Sequence, residues 1–457
     1  DMHIYQENED GSPWFNFAYA DLLFDFIQEI GLIPYVELGY MPSKLAKTQY
    51  TMFDNPAICI SMYNDSEKWQ ALVQACLSHW IDKYGLANVR KWRFTVFSMN
   101  YSRLQYTSPV MSHEDYCKMF EAAYQTIKMI DPELKLGGAG CFPGISLAPD
   151  GLRRFLLDVK EHGCPPDFIT VQCYPHEDFA QDSDFFYFTS KQTSMPSVLS
   201  KDSSFTLHFL QRLDCIRQEI GFADCPVVVE EWNSTLWQRD LSGDTCYKAA
   251  WLIKNVLQNY DQAEYLGYWL LTDFLDEWLV PGGVFHGGYG LFTINGIPKA
   301  GYQALRMLGR IGERKIASGE GWFVSQSENT IQVYLYHYCH YDALYRYRYQ
   351  KLTDPHDAYK VFESDGRLKI ELELCGLDPG IYRQEIWTIN RSAGSTFDRW
   401  IEMGAPGVMT PEDLEYLNDM AQPLCKIRDT DTVGTLRLQA ELEPHEVRLI
   451  VLKKRDG

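Results

Sequence analysis

Along the first 310 residues, stretches with apolar residues at helical spacing alternate with short apolar runs. Apolar positions that recur every three to four residues predict amphipathic helices, and short continuous apolar runs predict buried strands. The predicted helices cover residues 17–30, 68–84, 114–130, 152–162, 205–220 and 245–260. The predicted strands cover residues 33–38, 92–97, 134–138, 168–173, 227–231 and 265–271.

This alternation predicts an α/β fold in which helices pack on a parallel sheet. The segments after the strands are long and carry Trp, Tyr, His and carboxylates, as the active face of a (β/α)8 barrel does. A closed barrel of this type has eight strands, whereas the pattern contains six. We therefore expect a TIM barrel whose first two strands lie upstream of residue 1, in a longer polypeptide. An open sheet is the alternative.

After about residue 318 the apolar residues follow a period of two, which predicts antiparallel strands over 329–338, 367–374, 381–390, 435–442 and 447–452. A helix over 410–420 is predicted to begin after Thr410, an N-cap residue, with Pro411 at its first position. We expect a C-terminal β-sandwich over residues 318–457, packed on a barrel domain over residues 1–317.

The charge balance limits the partners of the protein. Lys and Arg number 42 and Asp and Glu number 62, which gives a net charge of −20 at pH 7. So acidic a surface repels phosphate backbones, and we expect no direct nucleic acid contact from these residues. No run of 18 apolar residues predicts a membrane-spanning helix, and no signal-peptide pattern opens the sequence.

The twelve cysteines indicate a compartment. None belongs to a Cys-x-x-Cys pair, and several lie in apolar, strand-like runs. This distribution is typical of buried thiols in a reducing environment, so we expect a cytoplasmic protein without a disulfide framework. No metal site and no cofactor are expected, because no ligand pairs have the spacing of a zinc site.

The clearest candidate site lies at the end of the strand that starts at Val227. Its apolar run ends in Glu230 and Glu231, followed by Trp232 and Asn233. A buried carboxylate costs free energy unless it is paired or used. Because neighbouring strand residues face opposite sides, we expect one of the two glutamates, and not both, to point into the site. A salt bridge at a solvated strand end is the alternative role.

Aromatic residues and acids also follow the last parallel strand. Trp269 and Asp273 lie in one such segment, and His286 begins the next. Rings stack on the apolar face of a sugar, and carboxylates accept hydrogen bonds from its hydroxyls, so the pattern favours a mono- or oligosaccharide partner. The alternative is that Trp269 or Phe274 belongs to the core.

Several motifs, taken in order, resemble glycoside hydrolase family 39, the β-xylosidase and α-iduronidase family. Residues 31–42 resemble its third barrel strand, residues 167–175 its sixth, and Glu231-Trp-Asn-Ser its seventh. Residues 268–273 and the His286-Gly-Gly-Tyr-Gly-Leu stretch resemble its eighth strand and the following loop. The resemblance implies a pentose-like ligand and places Glu231 at the nucleophile position. The residues that it places near the sugar are Ser98, Tyr174, Trp232, Asn233, Trp269, Asp273 and His286.

Strand four departs from the family pattern, which reads Trp-x-Phe-Glu-x-Trp-Asn-Glu-Pro and ends with the general acid/base Glu. This chain has Trp92-Arg-Phe-Thr-Val-Phe-Ser-Met-Asn100, so Met99 stands at the acid position and Ser98 replaces a sugar-binding Asn. A thioether cannot donate a proton, and retaining hydrolysis needs two carboxyl groups about 5–5.5 Å apart. Strand six also carries Gln172 where the family usually has His. Possible substitutes for the missing general acid are Glu177, Asp178 and Glu277.

The same arrangement resembles the C-terminal half of AraC-type bacterial transcriptional regulators. The shared stretches are Thr388-Ile-Asn-Arg391, Met403-Gly-Ala-Pro406 and Glu443-Pro-His-Glu-Val-Arg-Leu449. In those regulators the DNA-binding helices precede the glycosidase-like part, so DNA binding would belong to upstream sequence.

The sequence is consistent with three hypotheses. The leading one is a carbohydrate-binding or sensing domain with a degenerate glycosidase site. The second is an active retaining hydrolase of β-xylosidase type with a substitute acid. The third is a structural module whose site is plugged by Phe97 and Met99.

Overall fold

The computed structural model describes residues 2–49, 51, 59–97, 111–141, 149–178, 197–274, 283–347, 352, 354–363 and 366–455. Up to residue 268 its strands are β1 (Tyr5–Glu7), β2 (Pro13–Phe15), β3 (Tyr35–Leu38), β4 (Arg93–Val96), β5 (Lys135–Cys141), β6 (Phe168–Cys173), β7 (His176–Asp178), β8 (Ser197–Leu199), β9 (Val227–Trp232) and β10 (Tyr265–Tyr268). The helices up to residue 308 are α1 (Ala18–Glu29), α2 (Ser66–Tyr84), α3 (Leu86–Val89), α4 (His113–Ile130), α5 (Pro149–Glu161), α6 (Phe205–Glu219), α7 (Cys246–Gln258) and α8 (Ala300–Leu308).

Six of these strands form one parallel sheet in the order β10-β9-β6-β5-β4-β3. Spatial neighbours are therefore consecutive parallel strands along the chain, which is the strand order of a (β/α) barrel. Within the described residues, β3 and β10 are the two edges of this half-barrel sheet. The six predicted parallel strands and the six predicted helices are all confirmed, with ends within three residues of the prediction.

Local sequence explains why these elements begin where they do. Asp65 caps α2 by accepting hydrogen bonds from the backbone N–H groups of Glu67 and Lys68, and the Ser112 side chain caps α4. Such caps satisfy N–H groups that have no partner within the helix. The apolar strand β6 is buried along its whole length, as expected for a sheet covered on both faces.

The rest of the chain forms antiparallel sheets. Its strands are β11 (Arg314–Gly319), β12 (Trp322–Ser327), β13 (Thr330–Tyr336), β14 (Leu368–Cys375), β15 (Gly380–Ile389), β16 (Leu424–Thr432), β17 (Thr435–Leu442) and β18 (Val447–Lys454). The helices are α9 (Ala343–Arg346), α10 (Thr396–Glu402) and α11 (Pro411–Asp419). Five of the eight strands and α11 with its Thr410 cap were predicted. β11, β12, β16, α9 and α10 were not predicted. The predicted domain boundary at residues 317–318 falls inside β11.

The two antiparallel sheets share one apolar core. Six strands lie in the order β11-β12-β13-β18-β15-β16, and β14 pairs with β17 in a second sheet. Ile370 and Leu438 of the smaller sheet pack in one cluster with Val333 and Ile450 of the larger sheet. Burial of these side chains in one cluster joins the two sheets.

Aromatic rings join the antiparallel part to the parallel part. Tyr247 at the start of α7 lies with its ring centroid 4.8 Å from that of Tyr341 and 4.7 Å from that of Phe362. Tyr247 is almost completely buried, so the two parts share an apolar interface, as the sequence predicted.

Two further expectations concern the cysteines and the membrane. The eleven cysteines whose side chains the structure describes are free thiols, and seven of them are fully buried. Within the described ranges, no helix combines the length and the apolar character that a membrane crossing requires.

Candidate active site

The glutamate pair at the end of β9 lies on a β-bulge. The ladder between β6 and β9 pairs Val171 with Val229 and then Gln172 with Glu231, so Glu230 has no opposite residue. A bulge re-aims the side chains on either side of it. The expectation that only one of the two glutamates can serve the interior was therefore wrong, because it assumed a regular strand. Gly267 of β10 accommodates the bulge, since a Cβ there would lie 2.4 Å from the carbonyl oxygen of Glu230.

Glu231 and Tyr174, two of the predicted site residues, are brought together. The Tyr174 hydroxyl donates a hydrogen bond of 3.1 Å to Oε2 of Glu231. Tyr174 directly follows β6 and is buried, whereas Glu231 keeps partial solvent access. A phenol donor of this kind stabilises and orients a carboxylate at the carboxyl end of the sheet.

The side chain of Glu230 reaches across the sheet from β9 toward β3. Its Oε2 accepts a hydrogen bond of 2.8 Å from the hydroxyl of Tyr35 on the edge strand β3, so the contact spans the interior from β9 to β3. Loss of hydration, and then the carboxylate of Glu37, raise the pKa of Glu230 to about 8. Glu37 lies on the edge strand β3, where its side chain is exposed, and its carboxylate acts electrostatically on Glu230.

Sequence reasoning missed Glu37 and gave Glu230 no role of its own. The signal for Glu37 was present, since an acid in the middle of the apolar strand Tyr35-Val-Glu-Leu is unusual. Nothing in the strand pattern predicts that Glu37 and Glu230 act on one another, because they lie on strands at distant positions in the sheet.

Trp232 was predicted to lie against the sugar, but its ring lies among the outer helices. Its Nε1 donates a hydrogen bond of 3.2 Å to Oγ1 of Thr206 on α6, and its ring centroid lies 4.3 Å from that of Trp251 on α7. Trp232 is almost completely buried there. The side chain follows the bulge on the helix-facing side of β9, and so it is not grouped with Glu231 and Tyr174.

Asn233 links the ends of β9 and β10. Its side-chain amide donates to the backbone carbonyl of Trp269 and accepts from the ammonium group of Lys248. Asn233 is completely buried, while Trp269 is half-buried. Burial lowers the pKa of Lys248 to about 7. Lys248 was not predicted, although a lysine within the apolar helix that became α7 was a visible signal.

Asp273 is part of a buried ion cluster. Lys299 Nζ lies 2.6 Å from Oδ2 of Asp273 and 2.5 Å from Oδ1 of Asp244, and all three side chains have an exposed fraction of 1% or less. The same aspartates accept hydrogen bonds of 2.7 Å from the backbone N–H groups of Gly287 and Gly290. Asp273 therefore positions the loop that begins with His286. The sequence did not identify Asp244 or Lys299.

The other predicted site residues occupy different places. His286 is half-buried, with Nδ1 3.2 Å from the carbonyl oxygen of Gly283. Glu177, a possible substitute acid, accepts a hydrogen bond of 2.5 Å from the Ser200 hydroxyl. Phe97 packs on Tyr40, with ring centroids 4.5 Å apart. Ser98, Met99, Glu277 and the side chain of Asp178 lie outside the described residues.

The geometry supports a defined chemistry. A partly accessible carboxylate, Glu231, lies at the carboxyl end of a parallel sheet beside a phenol donor, and the half-buried Trp269 follows the next strand. A carboxylate of this kind accepts hydroxyl hydrogen bonds or attacks an electrophilic carbon, and an indole stacks on a sugar ring.

Comparison with known proteins gives a family. The model of glycosyl hydrolases family 39 matches residues 1–437. A β-xylosidase of Geobacillus stearothermophilus is 24% identical over 99% of this chain and 84% of its own length. The crystal structure of a monomeric β-xylosidase from Caulobacter crescentus superposes with a TM-score of 0.85 at 21% identity, covering 100% of this chain and 88% of that one.

A more distant likeness concerns a regulator. An uncharacterized HTH-type transcriptional regulator of Staphylococcus aureus is 22% identical over 50% of this chain and 29% of its own length. The family model, by contrast, extends over nearly the whole sequence, from the half-barrel into the antiparallel sheets. The chain belongs to glycosyl hydrolases family 39.

Proposed function

We propose that this chain is a carbohydrate-binding or sensing domain that has the family 39 fold and lacks the general acid of hydrolysis. One contrast between two strand ends carries the proposal. Near the end of β9, the Tyr174 hydroxyl holds Glu231 by a hydrogen bond. After β4, by contrast, the sequence contains no Asp or Glu before Glu114. Without a proton donor at this place the leaving-group oxygen departs as an anion, which typically costs about 10²–10⁴ in rate.

The residues kept around Glu231 support binding of a saccharide. The carboxylate and the Tyr174 hydroxyl can exchange hydrogen bonds with sugar hydroxyls, and the Trp269 ring offers an apolar surface. The buried pair of Asp273 and Lys299 fixes the loop after His286 beside these groups. A pentose-like mono- or oligosaccharide is the proposed ligand class, in keeping with the β-xylosidases to which the chain is similar.

The wider context that we propose is an AraC-type transcriptional regulator in the cytoplasm. The likeness to an HTH-type regulator over half the chain supports this context, and so do the free thiols. DNA would be contacted by other parts of such a protein, since these residues carry a net charge of −20. We also infer that the half-barrel within residues 1–317 is part of a (β/α)8 barrel and that residues 318–457 form a β-sandwich.

The test combines binding and turnover in one preparation. Thermal unfolding is followed with pentoses, xylo-oligosaccharides and uronic acids, and hydrolysis of xylobiose is measured in parallel. We expect a saccharide-dependent rise in Tm without turnover, and loss of that rise in Glu231→Gln. Glu264→Gln is the matched control, because Glu264 pairs with Arg93 outside the candidate site and should keep the response. The absence of any shift would favour a structural module whose site is plugged.

A second candidate function is retaining hydrolysis with a substitute acid. It rests on Glu230, which lies next to Glu231 in sequence and whose pKa is raised to about 8 by burial and by Glu37. A carboxylic acid that stays protonated near neutral pH is what general acid catalysis requires. The hydroxyl of Tyr35 holds this group in place.

Substitution separates the two candidates. If the protein hydrolyses xylobiose, Glu230→Gln and Glu37→Gln will show whether either group supplies the proton. The enzyme candidate predicts a fall of about 10²-fold or more in xylobiose hydrolysis for the acid, with a much smaller loss on aryl glycosides that have good leaving groups. The sensing proposal predicts no xylobiose hydrolysis in any variant.

A further inference from the structure

Three side chains with metal-binding atoms converge between two outer helices. His113 and Cys117 lie one turn apart on α4, and Asp158 faces them from α5. Nε2 of His113 is 2.8 Å from Oδ2 of Asp158 and 3.5 Å from Sγ of Cys117. The three candidate ligand atoms all lie within 4.8 Å of one another.

The separations from Nε2 of His113 to the other two ligand atoms are close to those around a tetrahedral zinc ion. With zinc bonds of about 2.0–2.1 Å to nitrogen, 2.3 Å to sulfur and 2.0–2.2 Å to oxygen, tetrahedral angles separate nitrogen from sulfur by about 3.5 Å and nitrogen from oxygen by about 3.3 Å. The His113–Cys117 distance already has this value. Oδ2 of Asp158 would move away from Nε2 of His113 by about 0.5 Å. The side chain of Asp158 is partly exposed and so can make this movement.

The cluster does not have the geometry of a nucleophilic cysteine. In a Cys–His–acid relay the thiol and the carboxylate contact opposite nitrogens of the imidazole. Here both contacts are made by Nε2 of His113. Burial, with Asp158 and Glu121 nearby, raises the pKa of the Cys117 thiol to about 12, so the thiol is protonated at neutral pH.

The surroundings of the cluster are negative. The carboxylates of Glu114, Glu121 and Asp158 act electrostatically on Cys117, and the guanidinium of Arg154 opposes them. Arg154 is held by Glu114 at 2.6 Å and lies 3.6 Å from Oδ2 of Asp158. Three carboxylates against one guanidinium favour a cation at the point where the three ligand atoms converge.

We propose that His113, Cys117 and Asp158 form a binding site for a divalent transition metal ion of the zinc class, which joins α4 to α5. Metal binding displaces the proton of the Cys117 thiol into solvent. The resulting donor set of imidazole nitrogen, thiolate sulfur and carboxylate oxygen suits Zn²⁺ and the ions that replace it. Three protein ligands leave a fourth position for water. The site is independent of the sugar chemistry proposed above, because none of its residues takes part in that site.

Cobalt(II) is the probe for this site. The purified protein, first treated with a chelator and dialysed, is titrated with Co²⁺ and followed in the near-ultraviolet and visible range. We expect a thiolate-to-cobalt charge-transfer band that saturates at one ion per chain and is bleached by Zn²⁺. The absence of this band in the wild-type protein would overturn the proposal.

Variants identify the ligands. Cys117→Ser should abolish the band, and Asp158→Asn should keep the band but weaken affinity at least tenfold, a loss of the size that even outer partners of metal ligands cause. Cys164→Ser is the matched control, since Cys164 is another buried thiol close to α5 and should leave the spectrum unchanged. A band that persists in Cys117→Ser, or that disappears in Cys164→Ser, would contradict the assignment.

Discussion

Two pairs of acids in the parallel part of the molecule are stabilised in different ways. Asp244 and Asp273 are buried, whereas Glu230 is partly buried and Glu37 is exposed. Asp244 and Asp273 share one cation, because Lys299 Nζ lies 2.5 and 2.6 Å from their carboxylates. Glu37 and Glu230 also act on one another, but the contacts of Glu230 in the described part of the chain are the hydroxyl groups of Tyr35 and Thr170. One lysine pairs with both aspartates, whereas Glu230 has a raised pKa and contacts hydroxyl groups.

The two pairs therefore suit different roles. A carboxylate held by an ammonium group and backbone N–H donors is fixed in position, which suits the anchoring of the loop between His286 and Gly290. A carboxylic acid without a cation retains a proton that it can exchange near neutral pH. The first pair is a scaffold, whereas the second pair is sensitive to pH and lies beside Glu231.

The largest predicted effect comes from removal of the shared cation. Lys299→Met leaves Asp244 and Asp273 buried without compensation, which should lower the free energy of unfolding by about 3–5 kcal/mol. Urea denaturation at pH 7 measures the change. Lys360→Met, which removes an exposed lysine paired with Asp357, is the control and should change stability by less than about 1 kcal/mol. Similar losses in the two variants would contradict the scaffold role.

The next prediction concerns pH. The pKa of Glu230 is raised from 4.5 to about 8 in the folded protein, so its contribution to stability is complete below pH 4.5 and is lost as the pH rises through 8. Glu230→Gln keeps a neutral side chain at every pH. We expect this variant to match the wild type at pH 5 and to exceed its stability at pH 9 by more than about 1.4 kcal/mol, the value of one pKa unit.

Unfolding curves collected from pH 5 to pH 9 for both proteins measure this difference. Glu264→Gln serves as the control, because Glu264 is paired with Arg93 and should not change the pH dependence. A constant difference between Glu230→Gln and the wild type across this range would show that Glu230 is ionised throughout.

Removal of the Tyr35 hydroxyl should have a smaller effect. Tyr35→Phe takes away the donor of the 2.8 Å hydrogen bond to Glu230, which should cost about 0.5–1.5 kcal/mol. It should also raise the pKa of Glu230 further, because a donor stabilises the charged form. The midpoint of the pH-dependent loss of stability should therefore shift upward. An unchanged midpoint would mean that this hydroxyl does not act on the titration.

The smallest effect is expected for an exposed pair outside both clusters. Arg437 Nε lies 3.1 Å from Oε1 of Glu373, and both side chains are at least half exposed. Arg437→Ala should change the free energy of unfolding by no more than about 0.5 kcal/mol. A loss comparable to that of Lys299→Met would show that burial is not what separates the two kinds of ion pair.

Periodicity predicted most of the fold. Long elements with a regular apolar pattern, such as β6, α4 and α7, were located to within three residues. β11 was missed because its side chains are all exposed, and β16 because most of its side chains are. An exposed edge strand has no buried face and therefore no alternation that a sequence pattern can reveal.

The candidate site was predicted less completely. The position of Glu231 at the end of β9 followed from the strand pattern, and its grouping with Tyr174 followed from the family resemblance. The bulge at Glu230 could not be predicted, because an extra residue in a ladder depends on the partner strand. For the same reason Trp232 was placed on the wrong side of β9. The cluster of His113, Cys117 and Asp158 depends on the packing of two helices, which no spacing rule for zinc ligands captures.

In the proposed function the carboxylate at the nucleophile position is kept while the general acid is lost. The most direct measurement compares hydrolysis of dinitrophenyl β-xyloside, whose leaving group needs no proton, with hydrolysis of xylobiose, whose leaving group does. The account predicts cleavage of the activated xyloside that disappears in Glu231→Gln, with xylobiose left intact. Cleavage of xylobiose at a comparable rate, abolished by the same substitution, would contradict it.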